Sequence, residues 1–185
     1  MNHLPIVIFA NMKGKVPRPN WLIALTKSKD TKFKDFARHM AIMFDDNEII
    51  QMSPSKGRHV LTLTEFKEKY DMLKCYEVNQ VDPTCIRNSL DIVYPDGTKY
   101  DQKGIVYYTW RVTAKIFLGW KVNPKHGQNK WHKKEKAMCQ ELFDCIAMHL
   151  KWYLNIYNKS HAMVTPGELN HRLSLWPEHF KPIEI

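Results

Sequence analysis

With 185 residues, 44% hydrophobic and 25% charged, the chain can bury one sizeable core as a single domain over 1–185 and has the balance of a globular protein, not a disordered or fibrous one. Four irregularly spaced cysteines do not make a disulfide framework and read as reduced thiols; with no secretory signal and no apolar run long enough to span a bilayer, the expected setting is cytoplasmic. The formal net charge of +9 is large for this size and attracts anionic surfaces or polymers without naming one.

In chain order, Met1 to Ala10 reads as a first strand, and Gly14 to Asn20 as a proline-rich turn. The apolar run Trp21-Leu-Ile-Ala-Leu25 fits a short helix or a strand, and its periodicity does not choose. A charged loop from Lys27 to Lys34 follows, anchored by Phe33 and Phe36. Ala37 to Phe44, Asp45-Asp-Asn47 and Glu48 to Met52 spell a β-hairpin, two apolar strands about a turn of aspartate and asparagine, closed by Ser53-Pro-Ser-Lys-Gly57. Arg58 to Thr64 alternates as a half-buried strand does, Glu65 to Tyr70 reads as one helical turn, and Met72 to Val78 as another strand carrying Cys75 as an ordinary buried residue. These segments predict an antiparallel sheet of four or more strands. Asp82 to Leu90 is a short helix, capped by Asp82 with Pro83 in its first turn, and its Cys85 has no recognisable partner.

Tyr100 to Trp120 is apolar and aromatic, with Ile105, Tyr108, Val112, Ile116 and Leu118 near helical spacing, and reads as a buried helix packed on the sheet. Lys121 to Lys136 is a polar, basic loop containing Trp131. It suits weak, non-specific nucleic-acid contact through phosphates and stacking, or a merely solvated surface, or lysines that lower the pKa of a nearby thiol and draw in an acidic substrate. From Lys136 the chain reads as a helix with Leu142, Phe143, Ile146 and Leu150 on its core face and Gln140, Glu141, Asp144 and Lys151 on the opposite one. Ser174 to Ile185 reads as an irregular strap.

Two residues carry chemistry. Cys139 lies at the start of the helix read from Lys136, where the partial positive charge of a helix N-terminus favours a thiolate; the bland reading is a small buried hydrophobe. His39 opens the first hairpin strand, a position that displays a ring at the end of a sheet and suits a general base. Nine histidines and four cysteines raise the question of metal, but His126, His132, Cys139 and Cys145 lack the close pairs of familiar zinc sites, and no cofactor is expected. No Gly-x-Ser-x-Gly elbow supports serine catalysis.

The run from Arg38-His39-Met-Ala-Ile-Met through Glu48-Ile-Ile-Gln51-Met-Ser-Pro to Gly57-Arg-His-Val-Leu-Thr-Leu-Thr-Glu-Phe66 and Tyr70 resembles the histidine half of the circularly permuted papain-like cysteine hydrolases, the YiiX/YaeF branch of the NlpC superfamily. That family has Ser-His-Val-Ala-Ile, a hairpin, Val-Ile-Glu-Ala, a glycine turn and Leu-x-Glu-Phe. Tyr100-Asp101, then Lys130-Trp131, then Met138-Cys139-Gln-Glu141-Leu142 resemble its later half with Cys-Ser-Glu-Leu, and Thr165-Pro-Gly-Glu-Leu169 its closing Ser/Thr-Pro-x-Asp-Leu. The matches keep the family's order from about Trp21 to Leu169.

The resemblance implies an α+β permuted papain-like domain, an antiparallel sheet packed against helices, with Cys139 as nucleophile and His39 as base. Gln51 would orient His39. It stands where the family usually has an acidic residue, and its amide oxygen can accept a hydrogen bond from the imidazole N–H but adds no charge to stabilise the imidazolium. Trp21 and Trp131 are candidate substrate contacts. The implied activity is a cysteine peptidase or amidase acting on a peptide, an isopeptide or a lipid amide, including one derived from a cell wall. The alternatives are a basic binding module or inhibitor of the same fold without turnover, and an acyltransferase using the same residues.

Overall fold

The apolar residues from Met40 to Phe44 can all be sheltered only in a strand covered on both faces, and both faces are covered. The computed structural model describes residues 4–14, 37–104, 106, 110, 136–150 and 166–185. Among these the strands are β1 (Ile6–Met12), β2 (His39–Asp45), β3 (Glu48–Ser53), β4 (Gly57–Leu61), β5 (Tyr70–Val78), β6 (Lys99–Tyr100), β7 (Lys136–Ala137) and β8 (Phe180–Ile183). The helices are α1 (Leu63–Lys69), α2 (Pro83–Val93), α3 (Phe143–His149), which continues a 3-10 turn over Cys139–Leu142, and α4 (Pro166–Leu173). Six strands form one antiparallel sheet in the order β4-β3-β2-β1-β5-β8, and β6 and β7 form a short parallel pair. The protein is therefore α+β, and among the described residues no helix is long and apolar enough to cross a membrane.

Alternation along each strand divides the core. Ile8, Ala10, Ala41, Met43, Ile49 and Leu61 face α1, meeting Phe66 and the strand residue Tyr70. Val7, Phe9, Met40, Ile42, Ile50 and Met52 face the other helices, meeting Ile86, Leu90, Phe143, Ile146, Leu169 and Leu173. Each of the larger of these side chains (Val, Leu, Ile, Phe and Met), fully buried, contributes roughly 1.5–3 kcal/mol. The Tyr76 hydroxyl donates to Asn170 Oδ1 at 3.0 Å, fastening α4 to the sheet.

Local chemistry sets the joints. The Asn47 amide donates to Asp45 Oδ1 at 2.8 Å, closing the hairpin. Thr62 and Glu65 form a reciprocal capping box at the start of α1, and Asp82 caps α2 with Pro83 in its first turn. Gly57 opens β4 at φ +69°, where a Cβ would lie 2.2 Å from the Thr98 carbonyl oxygen, so glycine is required. The buried Arg58 guanidinium donates to the carbonyls of Tyr94 (2.5 Å) and Leu90 (3.5 Å) and to Asp91 Oδ1 (2.5 Å), holding the C-terminal end of α2 against β4.

The hairpin and the Asp82-capped helix lie where the sequence predicts them, and the strand expected from Met72 starts two residues earlier, at Tyr70. Other readings change. The helix expected from Lys136 is not one there: Lys136–Ala137 pair with β6 as β7, and the α-helix starts at Phe143 after a 3-10 turn. The strand expected over Arg58 to Thr64 ends at Leu61, because the Thr62 cap turns the chain into α1. The expected strap contains β8, which pairs with β5 as an edge strand, and Pro182 is tolerated there because only one side of an edge strand is paired. The expected single turn at Glu65 is a helix over Leu63–Lys69, because the Thr62 cap starts it earlier. Tyr100 belongs to β6 and the helical residues start after Asp101; Val106 and Trp110, which are not among the expected core positions, are exposed, and Ile105, Tyr108, Val112, Ile116 and Leu118 lie outside the described residues. Cys85 has a partner after all: its thiol donates to Asp82 Oδ2 at 3.4 Å.

Candidate active site

Strand register gathers three polar side chains on the face covered by α1. Ala41 lies opposite Gln51, and Gln51 opposite His59, so these three share a face; His39, two residues before Ala41 on β2, shares it too. His39 Nε2 lies 2.6 Å from Gln51 Oε1, Gln51 Nε2 lies 3.1 Å from His59 Nε2, and His59 Nδ1 lies 2.9 Å from the Gly57 carbonyl oxygen. An amide oxygen only accepts, so His39 carries its proton on Nε2 and, when neutral, leaves Nδ1 bare. The His39 ring stacks on Tyr70 with centroids 4.6 Å apart and planes 10° from parallel, and Tyr70 stacks in turn on Phe66, also at 4.6 Å. Burial against these rings lowers the His39 pKa from 6.5 to about 4; the Gln51 hydrogen bond opposes the shift and nearby His59 adds to it. The imidazole is neutral at physiological pH.

Cys139 starts the 3-10 turn that leads into α3, and this turn packs against β2 and β3, the strands carrying His39 and Gln51. Its sequence explains the start. The Met138 amide donates to Glu141 Oε2 at 2.6 Å and the Glu141 amide to the Met138 carbonyl at 3.0 Å, a reciprocal cap built by a carboxylate three residues on. Glu141 is thus buried, where the helical pattern expects it on the solvent side. Cys139 itself is 3% exposed and belongs to the apolar cluster on the α2 and α3 side of the sheet, the face opposite the histidines. The link between the two sides is Tyr70. Its pKa is raised by burial and then by Cys139, with a hydrogen bond to Gln51 pulling the other way. Tyr100 is pushed well above the ordinary tyrosine range by burial and then by Cys139, Glu141, Tyr70 and Asp101, which places these groups around one phenol.

The other thiols differ. Burial pushes Cys75 up to about 11 and Cys145 up to about 12, which leaves both protonated and inert near neutrality. Cys85 is exposed, but neighbouring Asp82 raises its pKa.

Of the residues singled out from sequence, His39 and Gln51 are hydrogen-bonded to each other, and Cys139 lies on a turn packed against their strands. Trp21, Trp131 and the basic loop over 121–135 lie outside the described residues. His59, Tyr70, Tyr100 and Glu141 carry no role in the sequence reading. For His59 a signal existed: the hairpin register and the alternation from Arg58 to Thr64 together put it beside Gln51. Among the described residues no cluster of three or more His, Cys, Asp or Glu could hold a metal ion. No family model, curated protein or solved structure matches the chain.

Proposed function

We propose that the chain is a thiol hydrolase of permuted papain-like fold, of the YiiX/YaeF type, acting on an amide or isopeptide bond. The observation that carries this reading is the 2.6 Å hydrogen bond from His39 Nε2–H to Gln51 Oε1, which leaves Nδ1 of a neutral ring as a base. The ordered sequence resemblance supports it, as does the packing of the Cys139 turn on β2 and β3. The proposed reaction requires the Cys139 thiol, which packs on the opposite face of the sheet, to reach His39 Nδ1 and give it a proton as sulfur attacks the carbonyl carbon. His39 passes that proton to the leaving nitrogen as the C–N bond breaks, leaving a thioester. Water, deprotonated by the same ring, then attacks the thioester, and the C–S bond breaks to regenerate the thiol. Gln51 accepts the imidazole N–H throughout. The lowered His39 pKa leaves its ring neutral at rest and so able to take up the thiol proton during attack.

The test is turnover of cell-wall peptides, isopeptides and lipid amides by wild type, Cys139→Ala and His39→Ala. Both variants should lose roughly a thousandfold or more while keeping the fold, and wild type with a slow substrate should show an acyl adduct on Cys139 by mass spectrometry. Turnover that survives Cys139→Ala would remove the proposal. One observation favours a second reading, a basic binding module of the same fold without turnover: Cys139 is 3% exposed among apolar side chains, as a structural thiol would be. That reading expects ligand binding by the Cys139→Ala protein unchanged from wild type and no adduct in either.

A further inference from the structure

From the chain of contacts running from His39 to the Gly57 carbonyl we infer that His59 is a positioning residue: it holds the Gln51 amide so that its oxygen faces His39, and thereby selects the His39 tautomer that leaves Nδ1 free. The inference rests on the reading of His39 as the base. The chain is anchored at its far end, because the Gly57 carbonyl oxygen, 2.9 Å from His59 Nδ1, can only accept. His59 Nδ1 therefore carries the proton. In the neutral ring Nε2 is then an acceptor, and the group that satisfies it, 3.1 Å away, is the Gln51 NH2. That places the amide oxygen on the other side, 2.6 Å from His39 Nε2, which must be protonated. Tyr70 also hydrogen-bonds Gln51, but a hydroxyl both donates and accepts and so does not choose between the two amide orientations. His59 does, because its second nitrogen is committed to a carbonyl. Gly57 in turn sits in a conformation that only glycine adopts there, so the anchor is part of the backbone path into β4. A glutamine thus does the work of an orienting carboxylate, provided something holds its amide from behind.

The experiment uses the full-length protein labelled with 15N-histidine and reads ring tautomers by long-range proton–nitrogen correlation near pH 7.5. In wild type His39 should be protonated on Nε2 and His59 on Nδ1; His39 protonated on Nδ1, or His59 on Nε2, overturns the inference in the native protein whether or not any variant folds. In His59→Phe, which keeps a ring and removes the acceptor, the Gln51 amide is free to turn and His39 should become a mixture of tautomers; a His39 that stays wholly on Nε2–H overturns it. With a substrate in hand, His59→Phe should lower kcat about 10- to 100-fold with KM little changed. Adding Gln51→Glu to His59→Phe should restore most of the loss, because a carboxylate presents oxygen whichever way it turns; no rescue counts against the inference. The tautomer readings need no turnover, so failure of the hydrolase proposal and failure of the His59 role are told apart.

Discussion

At the scale of single residues, His39 shows how one burial decides a protonation state. An imidazole in water titrates near 6.5, and packing between the strand end and the Tyr70 ring brings it to about 4. The neutral ring is favoured in the folded state, so between pH 6.5 and 4 the unfolded chain binds more protons than the folded one. The resulting stability is fully present above 6.5, falls as pH drops through that window, and is lost by about 4. The shift corresponds to about 3 kcal/mol. Urea midpoints measured from pH 7 to pH 4 should therefore fall more steeply for wild type than for His39→Gln, which has no titrating ring. Parallel curves for the two proteins would show that the ring is solvated.

At the scale of elements, the Cys139 turn is defined by a carboxylate, not by a helix macrodipole alone. Glu141 reaches back to the Met138 amide inside the core, and it stands in the Cys-x-Glu-Leu pattern that the family resemblance rests on. Glu141→Ala leaves that buried amide without its acceptor and should cost about 1–3 kcal/mol. Glu141→Gln keeps an oxygen at the same place and should recover at least half of the loss. Chemical denaturation of both variants checks this, with amide exchange at Met138 reporting whether the opening is local. Equal losses in the two variants would show that charge, not the hydrogen bond, holds the turn.

For the whole molecule, the net charge of +9 sets the long-range behaviour. The expected consequence is weak, non-specific association with a single-stranded oligonucleotide that weakens steeply as salt rises, since each lysine–phosphate contact releases a counterion. Fluorescence anisotropy across a salt series measures it. Tight, salt-resistant binding that survives Cys139→Ala would make nucleic acid the principal ligand and the thiol incidental.

The elements that depend on neighbouring residues are legible in the sequence: the apolar run closed by Asp45-Asp-Asn47 makes a hairpin and Asp82-Pro83 starts a helix, because caps, turns and strand alternation act over a few residues, whereas the helix read from Lys136 starts only at Phe143, after a 3-10 turn opened by Cys139. The His39–Gln51 contact is expected from the family resemblance alone, and the hairpin register then places the two side chains on one face. Contacts between distant segments are not legible. Whether Phe180–Ile183 is a strap or a sixth strand depends on a free edge of β5 that no local pattern announces. Glu141 lies on the polar side of a helical wheel, yet it is buried because the chain preceding it turns back over its carboxylate. The pKa of His39 and the orientation of Gln51 depend on Tyr70 and His59, brought in from β5 and β4. Sequence alone determined which residue types could do chemistry and the elements that carry them; only tertiary packing decided which groups they face, because desolvation and hydrogen-bond direction belong to neighbours far apart in the chain.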